Sequence, residues 1–230
     1  DRGEGVRVWD QSGRSYIEAM SGLWCAGLGF GNAELVEAAR IQMERLPYYH
    51  LFSGKSHDTA IELAEKLKAI TPGQMARVFF QSSGSEANDT QIKMAWYMNN
   101  ALGRPQKKTI VSRKKAYHGT TLATASLTGL PGNHTDFDLP MPGIRHLSTP
   151  HFWKEAQEGE SEEAFVARLA AEFEALIEAE GAETIAAFIA EPVMGAGGAI
   201  VPPMGYFPAM SAIARKHDIL TITDEVICGF

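Results

Sequence analysis

The sequence predicts an α/β fold in which a largely parallel sheet is covered by helices on both faces. Over most of the chain, short apolar segments alternate with longer segments whose apolar residues recur at helical spacing. A polar or glycine-rich cluster follows each main apolar segment, as expected for loops beyond the carboxyl ends of parallel strands. A length of 230 residues is sufficient for one large domain, or for one domain and part of a second.

The composition is that of an ordinary globular protein, with 45% hydrophobic residues and a net charge of −7. The modest negative charge argues against nonspecific binding to nucleic acid, and neither a membrane-spanning run nor a signal peptide is visible. Cys25 and Cys228 form no pair motif, which favours reduced thiols in a cytoplasmic protein. Because the chain begins without methionine and stops straight after an apolar run, we expect a fragment that lacks its C-terminal part.

The first third of the chain predicts short strands and two helices. Residues 6–19 are expected to form short strands around a turn at 11–13. Asn32 is a good N-cap for the first helix, and a second helix is predicted at 60–69. A short apolar strand is predicted at 77–80.

The remaining two thirds predict the alternation that builds a parallel sheet. The expected helices have an apolar face and clear end signals, and they lie at 85–102, between Ser161 and Gly181, and at 206–217. The expected strands are short and apolar, and they lie at 109–113, 122–125, 185–190 and 219–223. Residues 130–150, rich in proline, glycine and aspartate, predict a long surface loop.

The first polar cluster, Gln-Ser-Ser-Gly-Ser-Glu-Ala-Asn at 81–88, follows a predicted strand and opens a helix. Small residues let the backbone approach an anion, whose charge the free N–H groups and the helix dipole favour. The hydroxyl groups of Ser83 and Ser85 can add hydrogen bonds. The pattern is equally typical of a plain helix cap at either serine, and it matches neither the dinucleotide fingerprint nor the nucleotide P-loop.

Two further clusters follow the next main strands. The ring of Tyr117 can lie flat against a planar ligand beside Gly119, although an ordinary half-buried tyrosine and a structural His118 explain the pattern as well. Glu191 ends the strand at 185–190, where burying a carboxylate without a partner is costly. This glutamate therefore indicates either a polar site or a solvated loop.

Asp224 follows the last predicted strand. An acid in that place can bind magnesium, hold a protonated ring nitrogen, or cap a helix or pair with a base. Trp24 fits either core packing or an aromatic wall of a pocket. No His/Cys spacing supports zinc and no GxSxG motif supports a hydrolase triad, so no metal site is predicted.

Together and in chain order, these clusters resemble the class III aminotransferases, which have the type I pyridoxal-phosphate fold. The likeness covers nearly the whole chain. It rests on Gly-Leu-Trp-Cys at 22–25, Gly-Asn at 31–32, Ser-Gly-Ser-Glu-Ala-Asn-Asp at 83–89, Tyr-His-Gly at 117–119, Glu-Pro at 191–192, Ile-Val-Pro-Pro at 200–203 and Asp-Glu-Val-Ile-Cys-Gly-Phe at 224–230. The first and last stretches are most similar to the branch that uses ω-amines or ω-amino acids with pyruvate.

The resemblance implies a cofactor site for pyridoxal phosphate. Ser83, Gly84 and Ser85 would hold its phosphate group. Tyr117 would stack on one face of the pyridine ring, and Val226 would pack on the other.

The resemblance also implies roles for residues around the ring. Asp224 would pair with the protonated ring nitrogen and keep it charged, so that the ring can act as an electron sink. His118 would belong to the cofactor site, and Glu191 would lie near Asp224 and the stacking tyrosine. Trp24 and Ala196 would border the substrate pocket.

The chain departs from the family's pattern in two places. Met194 stands where the family often has glutamine, which leaves open one polar contact near the cofactor. The family's Schiff-base lysine lies beyond Phe230, and none of the lysines present, such as Lys93, Lys114 or Lys216, sits in its motif. We therefore expect this chain alone to be inactive.

The resemblance implies that residues 1–50 belong to the small domain and residues 51–230 to an incomplete large, cofactor-binding domain of a homodimer. The expected activity is transfer of an amino group from an ω-amine or ω-amino acid to pyruvate or another keto acid, by a ping-pong route. The expected partners are small molecules, not nucleic acid or membrane. A decarboxylase or aminomutase on the same scaffold, a non-catalytic binding module, and a nucleotide-binding doubly wound protein are the alternatives.

Overall fold

The computed structural model describes residues 1–73 and 75–229. The chain forms two compact units, Asp1–Phe79 and Phe80–Phe230. Each unit has a sheet of its own, and the two are described in turn.

The N-terminal unit begins with a three-stranded antiparallel sheet in the order β1-β2-β3. Its strands are β1 (Arg2–Glu4), β2 (Arg7–Trp9) and β3 (Ser15–Ile17). Asp10 Oδ1 accepts hydrogen bonds from the backbone N–H groups of Ser12 at 2.8 Å and Arg14 at 3.1 Å, which stabilises the turn between β2 and β3. The short strands and the turn expected from the sequence are therefore present.

Helical segments complete this unit, and they are α1 (Ser21–Trp24), α2 (Ala33–Arg45) and α3 (Asp58–Ile70). Asn32 caps α2 as predicted, because its side chain accepts from the N–H groups of Glu34 and Leu35. The strand predicted at 77–80 is wrong, since these residues pair with no strand among those that the structure describes. An apolar segment becomes a strand only beside another strand, and the sequence does not show that neighbour.

The second unit is built on a four-stranded parallel sheet in the order β5-β4-β6-β7. Its strands are β4 (Thr109–Arg113), β5 (Ile144–Leu147), β6 (Ile185–Ala190) and β7 (Leu220–Thr223). Every residue of β4 and β6 is buried. Burial on both faces explains why β6 is continuously apolar in the sequence, whereas β4 also buries Thr109, Ser112 and Arg113.

Helices cover both faces of this sheet, as expected. These helices are α4 (Gly84–Ala101), α5 (Leu122–Leu127), α6 (Phe152–Glu155), α7 (Glu162–Glu180) and α8 (Tyr206–Lys216), with a 3₁₀ turn at Pro131–Asn133. On one face, Phe165 and Phe173 of α7 pack with Met210 of α8 and Phe188 of β6. On the other face, Ile92 of α4 and Leu127 of α5 pack with Ile110 and Ile189. Among the described residues, none of the helices combines the length and the apolar character needed to cross a bilayer.

Two sequence expectations fail in the second unit. Residues 122–125 form the start of helix α5 instead of a strand, because Thr121 and Thr124 make a reciprocal capping box that begins a helix there. The loop expected at 130–150 contains the strand β5. This strand was not predicted because its two central residues, Arg145 and His146, are polar and interrupt the apolar pattern. The β5 strand pairs with β4 at the edge of the sheet, where polar side chains are tolerated.

Candidate active site

Asp224 lies just beyond the carboxyl end of β7 and is buried, with 7% of its surface exposed. Its Oδ2 accepts a hydrogen bond from Asn88 Nδ2 at 2.8 Å and lies 2.8 Å from His118 Nδ1. Its Oδ1 accepts from the backbone N–H of Val226 at 3.2 Å. The backbone N–H of Asp224 donates to Ala190 O at 2.9 Å, which extends the β6–β7 pairing by one residue. The carboxylate is therefore held from three directions.

These contacts determine the charge of Asp224. Burial raises the pKa of the carboxyl, but the hydrogen bonds from His118, Asn88 and the N–H of Val226 outweigh burial and hold its pKa below the usual value. Asp224 is therefore an ionised carboxylate at neutral pH that is largely shielded from water.

The N-terminus of α4 lies beside this carboxylate. Ser83 is the N-cap and accepts from the N–H of Glu86 at 3.2 Å, while the N–H of Ser82 donates to Glu86 Oε2 at 2.9 Å. Among the hydrogen bonds of the described residues, none uses the N–H groups of Gly84 and Ser85. These free donors, together with the helix dipole, favour an anion at this end of α4.

Two close approaches connect the N-terminus of α4 to neighbouring loops. A Cβ atom on Gly84 would lie 2.6 Å from Val226 Cγ2, so only glycine fits there without a shift. Gly119, with a φ of +136°, lies against the side chain of Ser85, and the N–H of Thr120 donates to Ser85 Oγ at 3.0 Å. The loops that follow β4 and β7 thus meet the helix within a few residues.

Glu191, at the carboxyl end of β6, joins two loops through backbone atoms. Its Oε2 accepts from the N–H of Tyr117 and its Oε1 from the N–H of Gly195, both at 3.2 Å. Its backbone oxygen accepts from Nη2 of the fully buried Arg113 at 2.7 Å. Burial raises the pKa of Glu191, and the backbone N–H groups that donate to its oxygens only partly oppose this effect.

The structure brings most of the predicted site residues together. Hydrogen bonds or close approaches connect the members of this group, which are Gly84, Ser85, Tyr117, His118, Glu191, Asp224 and Val226. Ser83 is part of the same helix cap. Ala196 is exposed in the loop after β6. Phe230, the last residue of the predicted terminal motif, lies outside the described residues.

Trp24 lies in the N-terminal unit and is 45% exposed, so core packing within that unit does not account for it. It ends α1, in which Ser21, Gly22, Leu23 and Trp24 all have positive φ angles, between 50° and 66°. Left-handed backbone costs about 1–2 kcal/mol per non-glycine residue and is concentrated at functional turns. This segment therefore has a conformation that packing alone rarely selects.

Asn88 belongs to the site, although no role beyond membership of its motif was predicted for it. It is 3% exposed and donates to both His118 O at 3.0 Å and Asp224 Oδ2 at 2.8 Å. The signal that could have found it is its position on the buried face of α4, in line with Ile92 and Ala95. A polar residue in an apolar stripe requires a partner.

Comparisons with known proteins agree with this geometry. The family model described as "Aminotransferase class-III" matches residues 1–230. Vanillin aminotransferase of Capsicum frutescens is 54% identical over 231 residues, which cover 100% of this chain and 50% of that protein. Gamma aminobutyrate transaminase 1, mitochondrial, of Solanum lycopersicum is also 54% identical over 231 residues, which cover 100% of this chain and 45% of that protein.

Solved structures match the fold equally well. The ω-transaminase of Pseudomonas jessenii in complex with PMP has a TM-score of 0.99 and 60% identity, over 100% of this chain and 51% of that chain. The PMP-bound aminotransferase of Vibrio fluvialis has a TM-score of 0.97 and 53% identity, with the same coverage. The chain spans about half the length of the curated relatives that it matches. The expected fold is confirmed, and because the family model covers the whole chain, the chain belongs to the class III aminotransferases.

Proposed function

We propose that the complete protein is a pyridoxal-phosphate-dependent aminotransferase that moves an amino group from an ω-amine or ω-amino acid to pyruvate or another keto acid. The observation that carries this proposal is an ionised, buried Asp224 beside the N-terminus of α4, which has free N–H donors. Relatives named as ω-transaminase, gamma aminobutyrate transaminase and vanillin aminotransferase support the class of amine donor.

Class III aminotransferases use pyridoxal phosphate, and the residues present fit this group. The phosphate would be held by the N–H groups of Gly84 and Ser85 and by the serine hydroxyls, since these N–H groups have no hydrogen-bond partner among the described residues. Val226 is apolar yet 68% exposed, which suits a side chain that packs on a flat ring. Tyr117, half-buried, would pack on the opposite face.

When bound, pyridoxal phosphate supplies an electron sink for the substrate's reacting carbon. Asp224 would accept a hydrogen bond from the ring nitrogen, and its negative charge would keep that nitrogen protonated. His118 would orient the carboxylate through Nδ1. Glu191 would fix the backbone of the loops that carry Tyr117 and Gly195. Trp24 and Ala196 would border the substrate pocket.

The complete protein is proposed to contain residues that this chain does not supply. The lysine that would bind the cofactor covalently is expected beyond residue 230, because none of the lysines present lies in the family's motif. The 230-residue chain alone should therefore be inactive. We also propose that residues 1–50 belong to the small domain and residues 51–230 to the large domain, and that the complete protein is a homodimer.

A single-turnover experiment on the full-length protein tests the reaction. An ω-amine added without keto acid should release about one equivalent of carbonyl product per cofactor-loaded subunit, and pyruvate should then restore further turnover. Release of carbon dioxide would indicate a decarboxylase, and an isomeric amine without carbonyl product would indicate an aminomutase. A full-length protein without cofactor absorbance, before or after added pyridoxal phosphate, would support a non-catalytic binding module. Nucleotide protection against thermal unfolding would support the nucleotide-binding alternative.

We propose the cytoplasm as the compartment, because Cys25 and Cys228 are both unpaired and exposed, as in reducing compartments. Two related gamma aminobutyrate transaminases of Solanum lycopersicum are named as mitochondrial and chloroplastic. Fractionation of cells that express the full-length protein decides between these compartments.

A further inference from the structure

The amide of Asn88 lies where an asparagine is costly. The residue is in the interior of α4, where asparagine is a weak helix former, and its side chain is buried in line with Ile92 and Ala95. Burying an amide is unfavourable unless its donors find acceptors. Both N–H groups of Asn88 Nδ2 have an acceptor, since one donates to His118 O at 3.0 Å and the other to Asp224 Oδ2 at 2.8 Å. This side chain therefore connects α4 to the loops after β4 and β7.

The hydrogen bonds at Asp224 leave its two oxygens in different states. An ionised carboxylate has about four acceptor positions, two on each oxygen. Oδ2 uses both of its positions, for Asn88 Nδ2 and for His118 Nδ1. Oδ1 uses one, for the N–H of Val226. One acceptor position is left, and it is on Oδ1.

The tautomer of His118 follows from the same contacts. Nδ1 faces an ionised carboxylate, so it carries a proton and donates. Nε2 is buried and has no hydrogen-bond partner in the described part of the chain, which suits a lone pair better than an N–H group. His118 and Asn88 thus act as two donors directed at one oxygen.

We infer that Asn88 is a positioning residue, which holds Oδ2 so that the free acceptor position of Asp224 is on Oδ1, where the ring nitrogen would bind. Asn88 does not touch the cofactor in this arrangement. It acts through Asp224, by fixing the carboxylate's rotation and by stabilising its charge. The inference rests on the proposed function, because it assigns a role toward the same cofactor.

The test uses the full-length protein and the variant Asn88→Leu, which has a similar volume but no donor. Asn99→Leu is the matched control. Asn99 is also a buried asparagine of α4, but its Nδ2 donates within the helix to Ala95 O at 2.9 Å, ~16 Å further along the axis. The readouts are the cofactor dissociation constant, the pH midpoint of the cofactor's absorbance, and the unfolding temperature.

Asn88→Leu should bind pyridoxal phosphate roughly tenfold more weakly, because a hydrogen bond to a charged group is lost. The absorbance midpoint that reports the ring nitrogen should move to lower pH, since a carboxylate whose rotation is no longer fixed faces that nitrogen for less of the time. Besides Asp224 itself, the titratable groups around this site are His118 and Glu191, with the charge of Arg113 behind Glu191. Asn99→Leu should change the unfolding temperature alone.

Asn88→Asp provides a second, nearly isosteric variant in case the leucine prevents folding. It places a second carboxylate beside Asp224, so cofactor binding should be weaker than in wild type at pH 8 and recover as one of the two carboxylates is protonated at lower pH. Cofactor affinity and pH midpoints like those of wild type in both Asn88 variants would overturn the positioning role. A wild-type protein without cofactor absorbance would instead overturn the proposed function.

Discussion

The two units of the chain use similar helices in different ways. In the second unit, α7 buries five of its residues against the sheet, among them Phe165 and Phe173. In the N-terminal unit, α2 and α3 are amphipathic and well capped, yet neither buries any residue. Ile41 of α2 is 52% exposed. Periodicity in the sequence thus predicts a helix in both units, but a core forms only where a sheet with two coverable faces lies beside it.

The largest expected effect comes from truncating one core side chain in each unit. Phe173→Ala should lower the free energy of unfolding by about 3–5 kcal/mol, because Phe173 is fully buried against Phe188. Ile41→Ala should cost less than about 1 kcal/mol, because half of that side chain is already in water. Denaturant unfolding of the full-length protein measures both. Equal costs would show that the complete protein covers the apolar face of α2.

Asp224→Asn tests the chemistry of the second unit. The substitution keeps the shape but removes the negative charge, so kcat/KM of the full-length protein should fall by about 100-fold or more. Steady-state kinetics with an ω-amine and pyruvate measure the loss. A variant with wild-type kcat/KM would mean that Asp224 does not face the ring nitrogen.

Gly84→Ala tests the close approach at the start of α4. Its new methyl group would lie 2.6 Å from Val226 Cγ2. The resulting strain should lower the free energy of unfolding by about 1–3 kcal/mol. Adding Val226→Ala to this variant should restore part of that free energy, because it removes the contacting methyl group. Gly132→Ala is the control, because nothing lies within 4 Å of its added Cβ. Thermal unfolding compares these variants. An unchanged unfolding temperature for Gly84→Ala would show that Val226 moves aside at no cost.

The smallest expected effect is a pH dependence at the edge of the sheet. Burial lowers the pKa of His146 in β5, so the unfolded chain takes up its proton more readily than the folded protein. Stability should therefore be full above about pH 6.5, the ordinary histidine value, and decrease as pH falls toward the lower folded value. His146→Gln should flatten this decrease in unfolding experiments at pH 7.5 and pH 5. Equal slopes for wild type and variant would contradict the assignment.

The sequence predicted the elements that are fully buried better than those at edges. The strands at 109–113 and 185–190 have the predicted bounds. At 185–190 the reason is that a strand covered on both faces is an unbroken apolar run. The edge strand Ile144–Leu147 and the helix at 122–127 were missed, since their identity depends on a neighbouring strand and on a local cap.

In the candidate site, too, some residues could be predicted from the sequence and one could not. The motif residues around Ser83–Ser85, Tyr117 and Asp224 could be named from their order, because each follows a strand or opens a helix. The role of Asn88 could not, because it depends on contact with Asp224, 136 positions away in sequence. Hydrogen bonds over such separations exist only after the sheet has assembled.

Glu191 binds the loops around the site through main-chain N–H groups and not through side chains. Substitutions at positions 117 and 196 can therefore alter the shape of the surrounding surface while the hydrogen bonds from these N–H groups to Glu191 are kept. Under the proposed function, such a scaffold would let side chains around the site change while the fold is kept, and it would make these positions favourable for directed evolution.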